Sequence, residues 1–388
     1  MNKKLINLFL GCALLVLLSC QQGTKQDKSS PSPTASRELV DSAQFNEDID
    51  GKAAKLFILK NAKGATAYLT NFGARLVGLL VPNKDGAMTD VVLGFSKASL
   101  YNNAEEPYFG PIVGPFGNRI ANGKFSIDGE EYTTPANNGK NTLHGGFKGL
   151  HFANWDAKQT DDKSVVFSYT LPDRYEGFPG NIKIEVTYSL SDDDELTIAY
   201  QATTDKKTVI NLTNHAYFNL NGEGSGSILN HQLTLFADQI TPVDSTLIPT
   251  GAMSSVKGTP FDFTTAKSMG KDIEVANEQL TFGKGYDHNF VLNGTKVAGL
   301  NHAAKVVGDQ SGIVMDIYTE EPGIQFYSGN FMAEKVTLKN GNKDSFRTGF
   351  CLEPQHFPDS PNQPNFPSTI LNPGDTYSTK SVYKFSVQ

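Results

Sequence analysis

From Ala53 onward, apolar and polar residues alternate in short runs separated by turn-forming residues. A period of two puts one side of each run in a core and the other in water, so it predicts half-buried β-strands. The runs include "KLFILKNAKGATAYLTNFGARLVGLLVP", "SVVFSYTLP", "IKIEVTYSLSDDDELTIAYQAT", "HQLTLFADQITPV", "GIVMDIYTEEPGIQFYSG" and "VYKFSV", all rich in Val, Ile, Thr, Tyr and Phe. In "KFSIDGEEYTT" the Asp128-Gly129 pair, two residues that tolerate positive φ, predicts a tight hairpin. Helical periodicity is scarce, the best candidate being a few turns within residues 265–280, and no strand-helix rhythm of a parallel sheet appears. The pattern predicts an all-β fold, a large antiparallel β-sandwich with very little helix. No fixed-period repeat suggests a propeller or solenoid. The acidic run Asp192–Glu195 lacks the ligand spacing of a calcium loop and is expected to be a solvated hairpin turn.

The N-terminus departs from this pattern. Lys3 and Lys4 precede an apolar run from Leu5 to Leu18, too short for a comfortable membrane-spanning helix and typical of an export signal. Its end, Leu17-Leu18-Ser19-Cys20, resembles the lipobox of bacterial lipoproteins, which implies cleavage before Cys20 and lipidation of that cysteine. Residues 1–19 are therefore expected to be a signal peptide. Residues 20–44, rich in Ser, Pro, Gln and Lys, are expected to be a disordered tether, and residues 45–388 the folded domain. Gln21, in place of the Asp linked to inner-membrane retention, favours the outer membrane, facing periplasm or exterior. Of the three cysteines only Cys351 would remain as a free thiol, so no internal disulfide is expected.

Charge narrows the partners. The formal net charge is −7 and the 34 Lys and Arg form no basic stripe, which argues against nucleic acid. The membrane is expected to be met only through the lipid, and the domain is expected to be a monomer acting on a small molecule.

Candidate chemistry gathers in five places. "NLTNHAYFNLNGEGSG" carries His215 on a β-type run, "KTVINLTNH", with Tyr217 close behind. Its glycines do not make a phosphate loop, because strand rather than helix follows, and they read as a mobile turn. "GPFGNRIANGKF" carries Asn118 and Arg119, "NTLHGGFKG" carries His144, "GYDHNFVL" carries Asp287, and "GFCLEPQHFPDSPNQPNFPSTILNPGDTY" carries Glu353. Each also has a structural reading: a hydrogen-bonded His215, a surface Arg119, a turn-capping His144, an Asx-turn Asp287 and a strand-ending Glu353 held extended by Pro354. None of the seven histidines lies in a zinc-binding pattern, and no nucleophile elbow for a serine triad is present. An acid, a base and polar groups among aromatics make an inventory suited to a carbohydrate.

Together "GNRIANGKF", "NTLHGG", "NLTNHAYFNL", "YDHNFVL", "QFYSGNF" and "LEPQHFPDSPNQPNFP" resemble, in order, the motifs of the aldose 1-epimerase family, also called galactose mutarotases. The resemblance runs from about Gly51 to the C-terminus. It implies the family's galactose mutarotase-like supersandwich and the interconversion of α and β anomers of aldohexoses such as galactose and glucose. By this resemblance His215 would be the proton donor, entering as imidazolium, and Glu353 the proton acceptor. Arg119, His144 and Asp287 would bind substrate, with Asn118 and Tyr217 beside them. Pro354 stands where the family often has Thr. No cofactor is needed for such chemistry and no catalytic metal is expected, although a structural calcium held by carbonyls would leave no sequence signature. The competing readings are a non-catalytic sugar-binding lipoprotein, an epimerase of phosphorylated hexoses, which would call for more cationic side chains, and a glycoside-processing enzyme, which would need a second flanking carboxylate.

Overall fold

A computed structural model describes residues 39–102, 105–294 and 296–388. The proposed signal peptide, Cys20 and the tether up to residue 38 lie outside the described residues. Residues 39–44, counted with the tether above, lie against the domain: Val40 is buried, Asp41 caps a short 3-10 turn over Ser42–Phe45, and Phe45 is buried.

The alternating runs are antiparallel strands. A ten-stranded sheet runs through Asp156–Asp161, Ser164–Leu171, Ile182–Leu190, Glu195–Thr204, Tyr377–Val387, Ile313–Thr319, Leu300–Val307, Gln232–Leu235 and Lys267–Ser268, with Lys296–Val297 paired beside it. Burial alternates residue by residue along Ile182–Leu190, as a sheet with one face in a core requires. A four-stranded sheet carries Leu56–Lys60, Thr66–Thr70, Arg75–Pro82 and Met88–Asp90. A five-stranded sheet carries Ser254–Ser255, Gln239–Ile240, Asp287–Val291, Gly323–Tyr327 and Cys351–Gln355. All three contribute to one continuous core, for example through Leu69, Val186 and Phe326. The all-β sandwich expectation is borne out.

The Asp128-Gly129 hairpin forms as expected, with both residues at positive φ between Lys124–Ile127 and Glu130–Thr133. The acidic run turns the hairpin between Ile182–Leu190 and Glu195–Thr204. Its carboxylates also take Lys163, at 2.5 Å from Asp192, and the amide of Asn61, at 2.7 Å from Asp194.

Three local expectations change. The only α-helix among the described residues is Glu278–Gly283, at the far end of the 265–280 window, while Lys267–Ser268 is a strand. Asn277 starts the helix, its side-chain oxygen accepting the N–H of Gln279 at 2.9 Å, and the partner strand Gln232–Leu235 claims the earlier residues. The β-type run before His215 is two fragments, Thr208–Val209 and Thr213–Asn214, because the chain pairs first with Ile370–Leu371 and then with Ile112–Val113. The "NGEGSG" turn is anchored rather than loose. Glu223 reaches back to accept the N–H groups of Gly94 (3.2 Å) and Asn340 (2.9 Å), and it pairs with the buried Lys339 at 2.7 Å.

Candidate active site

Strand alternation builds one wall of the site. In the five-stranded sheet Gln325 stands opposite Glu353, and Tyr327 opposite both Asp287 and Cys351. Side chains two apart share a face, so Asp287, Gln325, Tyr327, Cys351 and Glu353 line one side. The intervening Phe290, Ile324, Phe326 and Leu352 enter the core from the other. Pro354 belongs to the core-facing set and lies on the sheet's edge strand, where a missing N–H need not break the ladder. Its departure from the family pattern leaves Glu353 in place.

The opposite wall comes from loops that are held tightly. His215 follows Thr213–Asn214 directly, and its own N–H donates to the carbonyl of Pro111 at 2.9 Å. Arg119 and His144 arrive on two short paired strands, Arg119–Ile120 and Thr142–Leu143. Asn118 and His144 both have positive φ, 63° and 50°, and lock each other there. The N–H of His144 donates to the Asn118 carbonyl at 2.9 Å, and the N–H of Asn118 donates to His144 Nδ1 at 3.1 Å. Backbone strain of this kind persists where surrounding contacts over-determine it. Gly145, next in the chain, has no room for a side chain, since a Cβ there would stand 2.0 Å from the Gly114 carbonyl oxygen.

These walls enclose a cavity of about 600 Å³ lined by Asn118, Arg119, His144, His215, Tyr217, Asp287 and Glu353 among others. All seven sequence-derived candidates therefore meet in one place. His215 Nε2 lies 3.8 Å from Glu353 Oε1. Arg119 Nη1 lies 3.8 Å from Asp287 Oδ2, and Gln325 Nε2 donates to Asp287 Oδ1 at 2.7 Å. The second oxygen of Glu353 has no hydrogen-bond partner among the described residues, although Glu353 is only 2% exposed. Unpaired buried oxygens are uncommon in folded proteins and mark places where a ligand would complete the bonding.

Burial sets the protonation. His215, 6% exposed, is lowered to about 4, first by burial and further by the Arg75 charge, against the opposing pull of backbone carbonyls. Glu353 is raised well above the usual carboxylate range by burial and by the nearby Asp287 charge, with Arg119 opposing. The substrate-free His215 therefore rests as neutral imidazole rather than imidazolium, and Glu353 is biased toward its protonated form. Burial also keeps His144 neutral. Because Nδ1 of His144 accepts the Asn118 N–H, its one proton must sit on Nε2, which becomes a donor. That tautomer bears on metal binding. Ligand atoms of His144, His215 and Glu353 lie within 4.8 Å of one another, yet His144 could offer a nitrogen lone pair to an ion there only by giving up the Asn118 bond.

Several contributors carry no local sequence signal. Tyr108 stacks over His215 with ring centroids 5.6 Å apart and also contacts His144 at 4.8 Å. Arg75, fully buried, donates to the carbonyls of Phe72, Pro107, Phe109 and His151, bracing the strap that bears Tyr108. Cys351 Sγ lies 3.6 Å from His215 Nδ1. Gln325 and Cys351 stood inside quoted stretches without an assigned role, and that of Gln325 follows from its register with Glu353.

The profile of the aldose 1-epimerase family matches residues 55–384. The chain belongs to that family. All seven candidates fall within the matched span. Over 341 residues the chain is 42% identical to a galactose mutarotase of Rattus norvegicus, an alignment covering 87% of this chain and 95% of that protein. It is 38% identical to an aldose 1-epimerase of Escherichia coli K12, covering 87% and 96%. The solved structure of an aldose epimerase homologue from C. elegans superposes with a TM-score of 0.79 at 35% identity, covering 86% of this chain and 99% of that one. A galactose 1-epimerase from Lactobacillus acidophilus gives a TM-score of 0.77 at 27% identity, covering 88% and 97%.

Proposed function

We propose that this aldose 1-epimerase interconverts the α and β anomers of aldohexoses such as galactose and glucose, with Glu353 and His215 as its proton-transfer pair. The observation that carries the reading is the 3.8 Å approach of His215 Nε2 to Glu353 Oε1 inside a polar cavity. Opening a hemiacetal ring removes the proton from O1 as the C1–O5 bond breaks and O5 gains a proton, so one group must accept while another donates. Glu353 takes the O1 proton and His215 protonates O5. Rotation about C1–C2 presents the other carbonyl face, and the reversed transfers close the ring.

This cycle uses one proton shared by the pair. Carboxylate with imidazolium becomes carboxylic acid with neutral imidazole on opening, and returns on closure. Burial of the substrate-free pair favours the second of these two, so the proton must return to His215 before Glu353 can act as base. The short gap between the groups supports that exchange, directly or through the sugar hydroxyl. The His144 Nε2–H and the Arg119 guanidinium suit the ring-oxygen region, while Asp287, oriented by Gln325, suits sugar hydroxyls. Asn118 holds His144, and Tyr217 shapes the wall beside His215, ring centroids 5.2 Å apart. No cofactor enters the scheme.

Polarimetry tests the activity. Freshly dissolved α-D-glucose and α-D-galactose should reach equilibrium rotation faster with the protein than in buffer, whereas decay at the buffer rate for every aldose tried would refute the assignment.

For location, the Leu17-Leu18-Ser19-Cys20 ending supports a lipid anchor holding this domain at a bacterial membrane. Membrane fractionation of the native chain and of Cys20→Ala tests it. The anchor reading expects only the variant to become soluble, and fails if both partition alike.

A further inference from the structure

The strap from Glu105 to Gly110 places a further carboxylate, Glu106, in the cavity beside Asp287 and Glu353. Glu106 lines the same space as His215 and Glu353, and no step above uses it. Its position is set by its neighbours. Both Pro107 and Phe109 offer their carbonyls to Arg75 Nη1, at 2.9 and 2.7 Å, which pins the backbone on either side of Tyr108. Glu106 Oε1 accepts the hydroxyl of Tyr217 at 3.3 Å, and the Tyr217 ring in turn packs beside His215. No partner for Oε2 is present among the described residues. Burial and the nearby Asp344 charge push the carboxyl up to about 7, and a hydroxyl donor would relieve that.

A half-buried carboxylate facing a sugar-sized cavity has one ready use, which is to accept hydrogen bonds from hydroxyls. Each hydroxyl of an aldose is a donor in a fixed direction, and a site built to accept it discriminates against sugars that lack it or point it elsewhere. Glu353 and His215 are committed to O1 and O5, and Asp287 is shared with Gln325 and Arg119. Glu105, also on the lining, is exposed, whereas Glu106 is a more enclosed cavity carboxylate with acceptor capacity. We propose that Glu106 is a substrate-binding residue that accepts a hydrogen bond from one non-anomeric hydroxyl, or two adjacent ones, and so helps determine which aldoses the site takes. This rests on the aldose 1-epimerase reading.

The test pairs Glu106→Ala with a set of monodeoxy hexoses in the polarimetric assay. On the parent hexose, loss of a hydrogen bond to a charged acceptor should raise KM about ten- to a hundredfold, with the loss falling on KM rather than kcat. On the analogue lacking the contacted hydroxyl, wild type and variant should have the same KM, while the other analogues keep the difference. Glu106→Gln, which retains an acceptor oxygen, should fall between. An unmoved KM on the parent hexose would overturn the proposal. So would an equal rise on every analogue, because that pattern reports disturbance of Tyr217 or the strap rather than a lost contact. A wild-type protein without anomerisation activity refutes the underlying reading instead, so the two failures are told apart.

Discussion

If His215 and Glu353 pass one proton between them, their removal should not be additive. Glu353→Gln keeps the shape of the side chain and puts a neutral group where burial already disfavours the charged carboxylate. His215→Asn likewise keeps a small polar group where a neutral imidazole stood. Neither should greatly disturb folding. Asp287 is engaged by Gln325 at 2.7 Å and lies 3.8 Å from Arg119, and Glu106 accepts the Tyr217 hydroxyl at 3.3 Å rather than pairing with His215, so neither is placed to substitute for Glu353. Each single variant should therefore lose about 10³-fold in kcat, within the usual ~10²–10⁴ span for general acid–base catalysis. That is about 4 kcal/mol of barrier at ~1.36 kcal/mol per tenfold. Independent roles would make the double variant slower by about 10⁶, whereas a shared-proton pair predicts a loss near about 10³, because either single change already breaks the cycle. The assay is polarimetric mutarotation, with the spontaneous rate subtracted and melting curves confirming the fold. A double variant whose loss equals the product of the singles would refute the shared-proton argument.

Two further outcomes follow from buried charges. In kcat/KM, the acid limb should lie near pH 4, where His215 gains a proton while Glu353 still holds its own and no base remains; the alkaline limb should follow Glu353, which burial has moved up. A pH series corrected for spontaneous mutarotation reads this directly, and an acid limb near the ordinary histidine value of about 6.5 would contradict it. Lys339, whose side chain is fully buried, pairs with Asp90 at 2.9 Å and Glu223 at 2.7 Å. Lys339→Met strands both carboxylates and should cost about 3–5 kcal/mol. At ~2–4 °C per kcal/mol for larger domains this lowers the melting temperature by roughly 6–20 °C in calorimetry, partly restored by adding Glu223→Gln; an unchanged melting temperature would show that the pair contributes nothing.

The fold was legible because its signal is local and repeated. Strands such as Ile182–Leu190 alternate so regularly that burial follows the sequence residue by residue. The Asp128-Gly129 turn needs only its own two residues to specify it. The helix was misplaced because Lys267–Ser268 answers to a distant strand, Gln232–Leu235, that no local pattern reveals. Motif side chains were legible for a different reason: His215, Glu353, Arg119, His144 and Asp287 sit in family-like contexts, each ambiguous alone and specific together. Arg75 and Tyr108 had no such context. An arginine in "NFGARL" reads as a surface residue until the fold surrounds it with four backbone carbonyls and aims its charge at His215.

Protonation was the least legible property, for a physical reason. The sequence shows which groups can titrate, but the direction of a shift depends on burial and on charges brought from elsewhere in the chain. A histidine near the surface would enter as imidazolium beside a carboxylate. Closing the cavity over both makes the uncharged arrangement favourable, and the same residues then begin the reaction from its other tautomer. The burial that brings the pair together also biases where their proton rests, and substrate hydroxyls must supply the polarity that returns it to His215.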